Sequence, residues 1–246
     1  MFPGMLLTFD VERQASIAAL NAALKADQMI FLSAQKDLTA DMPQADEIYS
    51  VGTVCRIRQQ LRQPRGSICR VMVEGVYRAR AVSMHCDPKG YTAHVEAMED
   101  KNERISSDRK EALLRNCLNL FEEYIQYNNE MVSEQILNLL ANPRVGYVSN
   151  YIAQNVRFSI EDRQALLEEV YPSRRLLMLS RFLRHELNVL SIEKELSDAT
   201  QDAINKNQRE YYLREEMKLI QSELGEDDDI ENYRLKINAL PVSDVI

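Results

Sequence analysis

The sequence predicts an α+β fold: a small, largely antiparallel sheet lobe, then an α-helical bundle with one long projecting, coiled-coil-like helix. Three observations predict it. Apolar and polar residues alternate between Val51 and Met98, and Gln63-Pro64-Arg65-Gly66 and Asp87-Pro88-Lys89-Gly90 punctuate them, as in strands joined by tight turns. From Asp108 onward the apolar residues recur with a 3.6 period. From Val189 to Leu224 there is neither Pro nor Gly. Steps of three and four residues there join Val189, Ile192, Leu196, Ala199, Ala203, Lys206, Glu210, Leu213, Met217, Ile220 and Leu224 into a seam of about five heptads.

The elements follow in order. Met1 to Phe9 is a short apolar segment in which Pro3 and Gly4 predict a bend or a sheet edge. Gln14 to Ala26 sets Ile17, Ala18, Leu20, Ala22 and Leu24 around a helix, and Met29 to Leu32 reads as a strand. From Val51 the chain puts Val51, Thr53, Cys55, Ile57 and Leu61 on one face and Arg56, Arg58, Gln60 and Arg62 on the other. Ser67 to Glu74 and Val76 to Met84 are expected as two strands broken at Gly75, and Tyr91 to Met98 as a further one.

Helices are expected at Asp108 to Tyr127, Met131 to Leu140 and Val145 to Val156, then at a fourth segment capped by Ser159 with Asp162 near the capping-box position. Tyr171-Pro172-Ser173 starts the next, which leads into the long helix through a bend near Ser191. At about 1.5 Å per residue, Val189 to Leu224 spans on the order of 50 Å, longer than a lobe of this size is wide. Ile192, Leu196, Ala199 and Ala203 are expected to pack on the bundle, and Leu213, Met217, Ile220 and Leu224 to need a second chain. Gly225 stops the helix, and the acidic run Glu226 to Asp229 reads as a solvated linker before a short helix to Leu240.

Composition excludes several classes. The 246 residues, 45% of them hydrophobic, suffice for two small cores, and a net charge of −8 argues against a protein devoted to nucleic acid. No apolar run reaches the about 18 residues of a membrane span. The four cysteines, Cys55, Cys69, Cys86 and Cys117, lack CxxC spacing and fit free thiols in a reducing cytoplasm. None of the seven glycines opens a G-x-x-x-x-G-K-[ST] phosphate loop or sits in a G-x-S-x-G elbow, so no ATP site or catalytic residue is expected. His85, Cys86 and His94 flank one turn without zinc-ligand spacing, and His185 stands alone, so no metal is expected.

The words of the long helix carry more. NQREYYLREEMKLIQSELGE, from Asn207 to Glu226, closely resembles the segment that ends the N-terminal region of Lon, the ATP-dependent protease, just ahead of its ATPase module. FPGM at Phe2, AQKD at Ala34, VGTV at Val51, VEG at Val73 and DRQALLEEVYPSRRLLMLSRFLRHEL from Asp162 run in the family's order. The resemblance implies a six-stranded PUA-like β pseudobarrel over residues 1–100 and a helical bundle over 101–188. The long helix then occupies 189–225, and 226–246 form an acidic linker and short helix toward an ATPase module outside the chain. Two departures stand out: the family's opening Leu-Pro-Leu-Arg strand is missing ahead of Met1, and Asn150 replaces a commonly acidic residue.

By the same resemblance the chain is a non-catalytic, cytoplasmic segment that engages unfolded, damaged or degron-bearing protein substrates. It links to the ATPase and protease domains of a homo-hexamer. ATP, Mg and the Ser-Lys pair belong outside it.

Three sets of residues are candidates for contact. Phe2, Pro3, Met5, Phe31 and Met72 are apolar or flexible candidates for substrate binding, with plain core as the simpler reading. Arg56, Arg58, Arg62, Arg65, Arg70, Arg78 and Arg80 crowd one hairpin region in which Glu74 is the only acid. A solvated, charge-guarded face accounts for them most simply; an acidic partner, or a nucleic-acid-binding PUA-like module, is the alternative. Lys206, Glu210, Tyr211, Leu213, Met217, Ile220 and Leu224 are expected to form the docking or oligomerisation seam of the long helix.

Overall fold

The alternating part of the sequence forms β1 (Leu6–Val11), α1 (Gln14–Lys25), β2 (Met29–Leu32), a single 3-10 turn (Ala45–Glu47), β3 (Val51–Arg62), β4 (Cys69–Asp87) and β5 (Gly90–Met98). The computed structural model describes residues 1–62, 68–87, 90–127, 144–224 and 226–239. Every strand pairing is antiparallel, in the order β1-β4-β3-β2, with β5 also on β4. Among the described residues the sheet has five strands; the resemblance implied six for the family, with the opening one missing ahead of Met1 in this sequence. α1 joins the two outer strands β1 and β2. Its Leu20 packs with Cys55, Ile57, Cys69, Val71 and Val73, flanked by Leu7, Phe9, Val11, Ile30 and Leu32.

β4 was expected as two strands broken at Gly75 but runs unbroken for 19 residues. Val54 faces Tyr77 and Cys55 faces Gly75, so Val76 is the extra residue of a β-bulge, which bends the strand instead of ending it. The bend lets β4 pair with β1 over Cys69–Glu74 and with β5 over Arg78–Asp87. The Phe2-Pro3-Gly4-Met5 segment crosses at this corner. The Gly4 N–H donates to Gly75 O (2.8 Å), and the Gly75 N–H donates to Met5 O (2.9 Å). Gly4 has φ +80°, and a Cβ on Gly75 would overlap the Phe2 carbonyl. Glycine at both positions therefore sets the entry of β1.

The 3.6-period region forms α2 (Ser107–Tyr127), α3 (Val145–Asn155), α4 (Ile160–Glu168) and α5 (Pro172–Leu224). The helix expected at 131–140 lies outside the described residues. Ser159 caps α4, its hydroxyl accepting from the Asp162 N–H at 3.0 Å. Cys117, Phe121 and Tyr124 of α2 are buried, as are Val148, Ile152 and Ala153 of α3 and Leu166 and Leu167 of α4. From α5 the core takes Leu176, Leu179, Leu183 and Leu187. The Cys117 thiol lies 2.9 Å from the Ser180 hydroxyl and 3.1 Å from Leu176 O. Burial pushes it up from 9.0 to about 11, against the lowering effect of the Ser180 hydrogen bonds.

The sheet and the bundle meet at a polar junction. Asp100, just after β5, accepts from Arg78 of β4 at 3.1 Å and from Arg175 of α5 at 2.6 Å through the same oxygen. Arg78 also donates to the Asn150 side-chain oxygen, while Asn150 Nδ2 donates to Pro3 O at 3.0 Å. Arg175 adds Ser149 Oγ (3.3 Å) and Glu169 O (2.8 Å). Arg175 is fully buried and Arg78 is 5% exposed. Burial and the neighbouring Arg175 lower Arg78 to about 10, against the pull of Asp100, and it stays charged at neutral pH.

The described chain divides into two units, Met1–Asn188 and Val189–Ile246, with the division inside the continuous helix α5. In the second unit Ile192, Leu196, Ala199 and Ala203 were expected to pack on the bundle, yet all four are exposed, as are Leu213, Met217 and Ile220. α6 (Glu226–Asn238) begins where a linker was expected. Acidic residues suit the positive end of a helix dipole, and that favours a helical first turn over a solvated run.

Two predictions follow from this packing. Asp100→Asn leaves two buried guanidinium groups without a countercharge, and because Asp100 is partly exposed the cost falls at the low end, about 3 kcal/mol, for a broken buried pair. Urea unfolding will read it, and a loss below about 1 kcal/mol would match a mere surface pair and contradict the junction. The unfolded Cys117 thiol ionises near 9.0 while the folded one keeps its proton, so the folded state binds more protons between 9.0 and about 11. Stability therefore falls as pH rises through that window. Cys117→Ala will flatten this part of the curve, whatever it does to stability at neutral pH.

Candidate peptide-binding site

Strand alternation builds the site. In β1, Leu7, Phe9 and Val11 turn inward while Leu6, Thr8 and Asp10 are exposed. Phe9 and Val11 form one wall of a cavity of about 360 Å³; Ile30 and Leu32 of β2 form another, Val71 and Val73 of β4 its floor, and Leu20 of α1 the side between. This volume sits at the small end of ligand clefts, about 300–1,000 Å³. It suits apolar side chains better than a folded element.

Exposed Asp10, Glu12 and Arg13 form the mouth. Arg70 clamps Asp10 through two hydrogen bonds of 2.7 and 2.8 Å, which hold its carboxyl below the usual carboxylate range. Arg13 donates to Gln35 Oε1 (2.9 Å) and Ala40 O (3.1 Å), tying down the loop that carries exposed Leu38 and Met42. The mouth is therefore ordered by side chains on both flanks and bordered by apolar surface.

None of the apolar candidates read from the sequence lines this cavity. Phe2 and Met5 are buried, which corrects the expectation of accessible surface there: the corner at Gly75 encloses both. Pro3 is half-buried and gives its carbonyl to Asn150. Phe31 is half-buried with its ring against Gly52, and Met72 lies between Thr8 and Gln59 across the strands.

The basic face is divided. Arg58 pairs with Glu74, Arg70 with Asp10, and Arg56 and Arg80 are exposed. Arg78 departs from the expected face because the bulge at Val76 shifts the alternation by one residue and sets it opposite buried Thr53. The side chain of Arg62 and all of Arg65 lie outside the described residues.

On the second hairpin, His85 stands opposite Thr92, Cys86 opposite Tyr91 and His94 opposite Ser83. Among the described residues no three potential metal ligands cluster. On the long helix Lys206, Glu210, Tyr211, Leu213, Met217 and Ile220 are exposed, with Tyr211 edge-on to Tyr212 at 6.1 Å; the side chain of Leu224 lies outside the described residues. No described helix is long and apolar enough to cross a membrane.

Two solved structures share this fold. The N-terminal domain of a Mycobacterium avium complex Lon protease aligns over 74% of this chain and 91% of its own, with a TM-score of 0.59 at 20% identity. The Lon N-terminal domain protein from Xanthomonas campestris aligns over 73% and 90%, with a TM-score of 0.50 at 17% identity. Both are Lon N-terminal domains, and the likeness is one of fold. The chain belongs to the ATP-dependent protease La (LON) substrate-binding domain family, whose model matches residues 1–185.

Lon protease of Clostridioides difficile (strain 630) is 35% identical over 98% of the chain, and Lon protease of Escherichia coli (strain K12) 34% over 96%. Lon protease 1 of Bacillus subtilis (strain 168) is 35% identical over 92%. The chain spans 31%, 30% and 29% of the length of these three relatives.

Proposed function

We propose that this chain is the part of a Lon-like ATP-dependent protease that engages unfolded, damaged or degron-bearing proteins and links them to a hexameric ATPase ring. The cavity carries this reading through half-buried Phe9, Val11, Ile30 and Leu32, which lie over the buried core residues Leu20, Val71 and Val73, since a site for varied unfolded chains needs accessible apolar surface rather than a fixed polar pattern. In this reading peptide cleavage, ATP and Mg belong to parts of the protease outside the chain, which holds no phosphate-loop motif. The setting is the cytoplasm. The nucleic-acid alternative is weakened by the ion pairs that take up Arg58 and Arg70 and by the burial of Arg78.

Magnitudes shape the reading. Burying one large apolar side chain contributes about 1.5–3 kcal/mol, so a single cavity binds weakly. Several copies in one assembly raise the effective affinity without new contacts. The exposed seam with Leu213, Met217 and Ile220 is the surface on which we place that self-association.

An unfolded, reduced and carboxymethylated protein is expected to bind more tightly than its native form. Ile30→Asp will weaken binding by about tenfold, and Arg56→Glu with Arg58→Glu by less than about twofold. Equal affinity for both forms, or binding that moderate salt and the Arg variant alone remove, would move the site to the basic face. In sedimentation, association is expected to be weak and concentration-dependent, and lost in Leu213→Glu with Ile220→Glu. A concentration-independent monomer in both chains would refute self-association through this seam.

A further inference from the structure

The starts of two helices meet at a second cavity of about 160 Å³, lined by Val145 and Gly146 of α3 and by Pro172 and Ser173 of α5. Clefts that hold whole ligands begin at about 300 Å³, so this one has room for a single small group. No side chain caps α3 at Arg144, and Pro172 has no N–H to give. The Ser173 N–H donates to Glu103 Oε2 at 3.1 Å, so one helix start already holds a carboxylate of the chain itself. The Ser173 hydroxyl is not satisfied in this way. Ser173 lines the cavity and is 5% exposed, and its Oγ is buried with no hydrogen-bond partner. An unmade bond of this kind costs free energy, and a turn about χ1 offers the hydroxyl to an acceptor in the cavity.

Charge selects the acceptor. Lys101 and Lys110 line the cavity, and neither has an ion pair among the described residues. Glu103 is the one carboxylate of the lining. Beside it Arg174 stacks on the Tyr171 ring at 4.5 Å, and Glu169 caps the Tyr171 N–H at 2.8 Å. Behind Gly146 stands Asp100, which Arg78 and Arg175 outnumber. Five cations, Lys101, Lys110, Arg174, Arg78 and Arg175, thus stand against three carboxylates, and two helix starts add their positive ends.

We propose that this cavity binds an oxyanion of the phosphate class, either free phosphate or the phosphoryl group of a phosphorylated residue. The anion replaces the Glu103 carboxylate on the Ser173 N–H, accepts from the Ser173 hydroxyl and from the open start of α3, and lies between Lys101 and Lys110. Tetrahedral oxygens meet donors arriving from several directions, which a planar carboxylate does not. The site shares no residue with the apolar cavity and does not depend on it.

Amide NMR of the intact, isotope-labelled chain tests this, with phosphate titrated at an ionic strength held constant by chloride. Saturable shifts are expected at the Gly146 and Ser173 amides, and none with chloride alone. Lys110→Met is expected to weaken phosphate by about fivefold or more, and Ser173→Ala by about twofold or more. Glu103→Gln removes the competing carboxylate and is expected to tighten phosphate by about threefold or more, an effect that a merely structural cap would not give. A phosphoserine peptide separates the two sources. Tighter binding than phosphate at the same amides assigns the site to a phosphorylated residue, and equal or weaker binding assigns it to the free anion.

Absence of saturable shifts at Gly146 and Ser173 would overturn the proposal, as would the same shifts with chloride. Phosphate affinity that Glu103→Gln leaves unchanged or lowers, or that Lys110→Met leaves unchanged, would overturn it as well.

Discussion

The fold depends on one carboxylate. Asp100 holds both Arg78 and Arg175 through a single oxygen, and those two guanidinium groups are the most deeply buried charges of the sheet–bundle contact. Two buried cations against one anion is a costly arrangement, compensated by hydrogen bonds to Asn150, Ser149 and Glu169. Such a junction adds little stability over an apolar one, but it tolerates one geometry only. An apolar interface can slide; a shared carboxylate cannot.

From the junction the geometry passes to the site. Arg78 sets Asn150, whose amide donates to the Pro3 carbonyl, something an ionised acid at this position could not do. Pro3 belongs to the segment that crosses β4 at Gly75 and enters β1. The position of β1 therefore depends on the bundle, although no bundle residue lines the cavity. A fixed edge matters because a wall that shifted would close an apolar cavity on itself.

Much of the fold was legible in the sequence wherever the signal is local. Alternation placed β3, the Asp87 to Gly90 turn placed β4 and β5, and Ser159 placed the start of α4. The bulge at Val76 was not legible, since Gly75 reads equally as a break and as a close approach of a remote segment. That one residue also hid the burial of Arg78, because parity counted across it fails. Asp10 went unnoticed as the partner of Arg70 because the pair is brought together only by the β1–β4 register. The cavity had no signature at all. Phe9, Leu20, Ile30 and Val71 come from four elements, each reading separately as ordinary core.

The central claim is that unfolded chains bind at the cavity between the two outer strands. Hydrogen–deuterium exchange of the intact chain, with and without saturating unfolded protein, tests it most directly. The account predicts new protection confined to Phe9–Ser16 and Met29–Leu32, with the Arg-bearing stretch of β3 and the long helix unchanged on subtraction of self-association. Protection centred on Arg56 and Arg58, with Phe9–Ser16 exchanging as in the free chain, would contradict it.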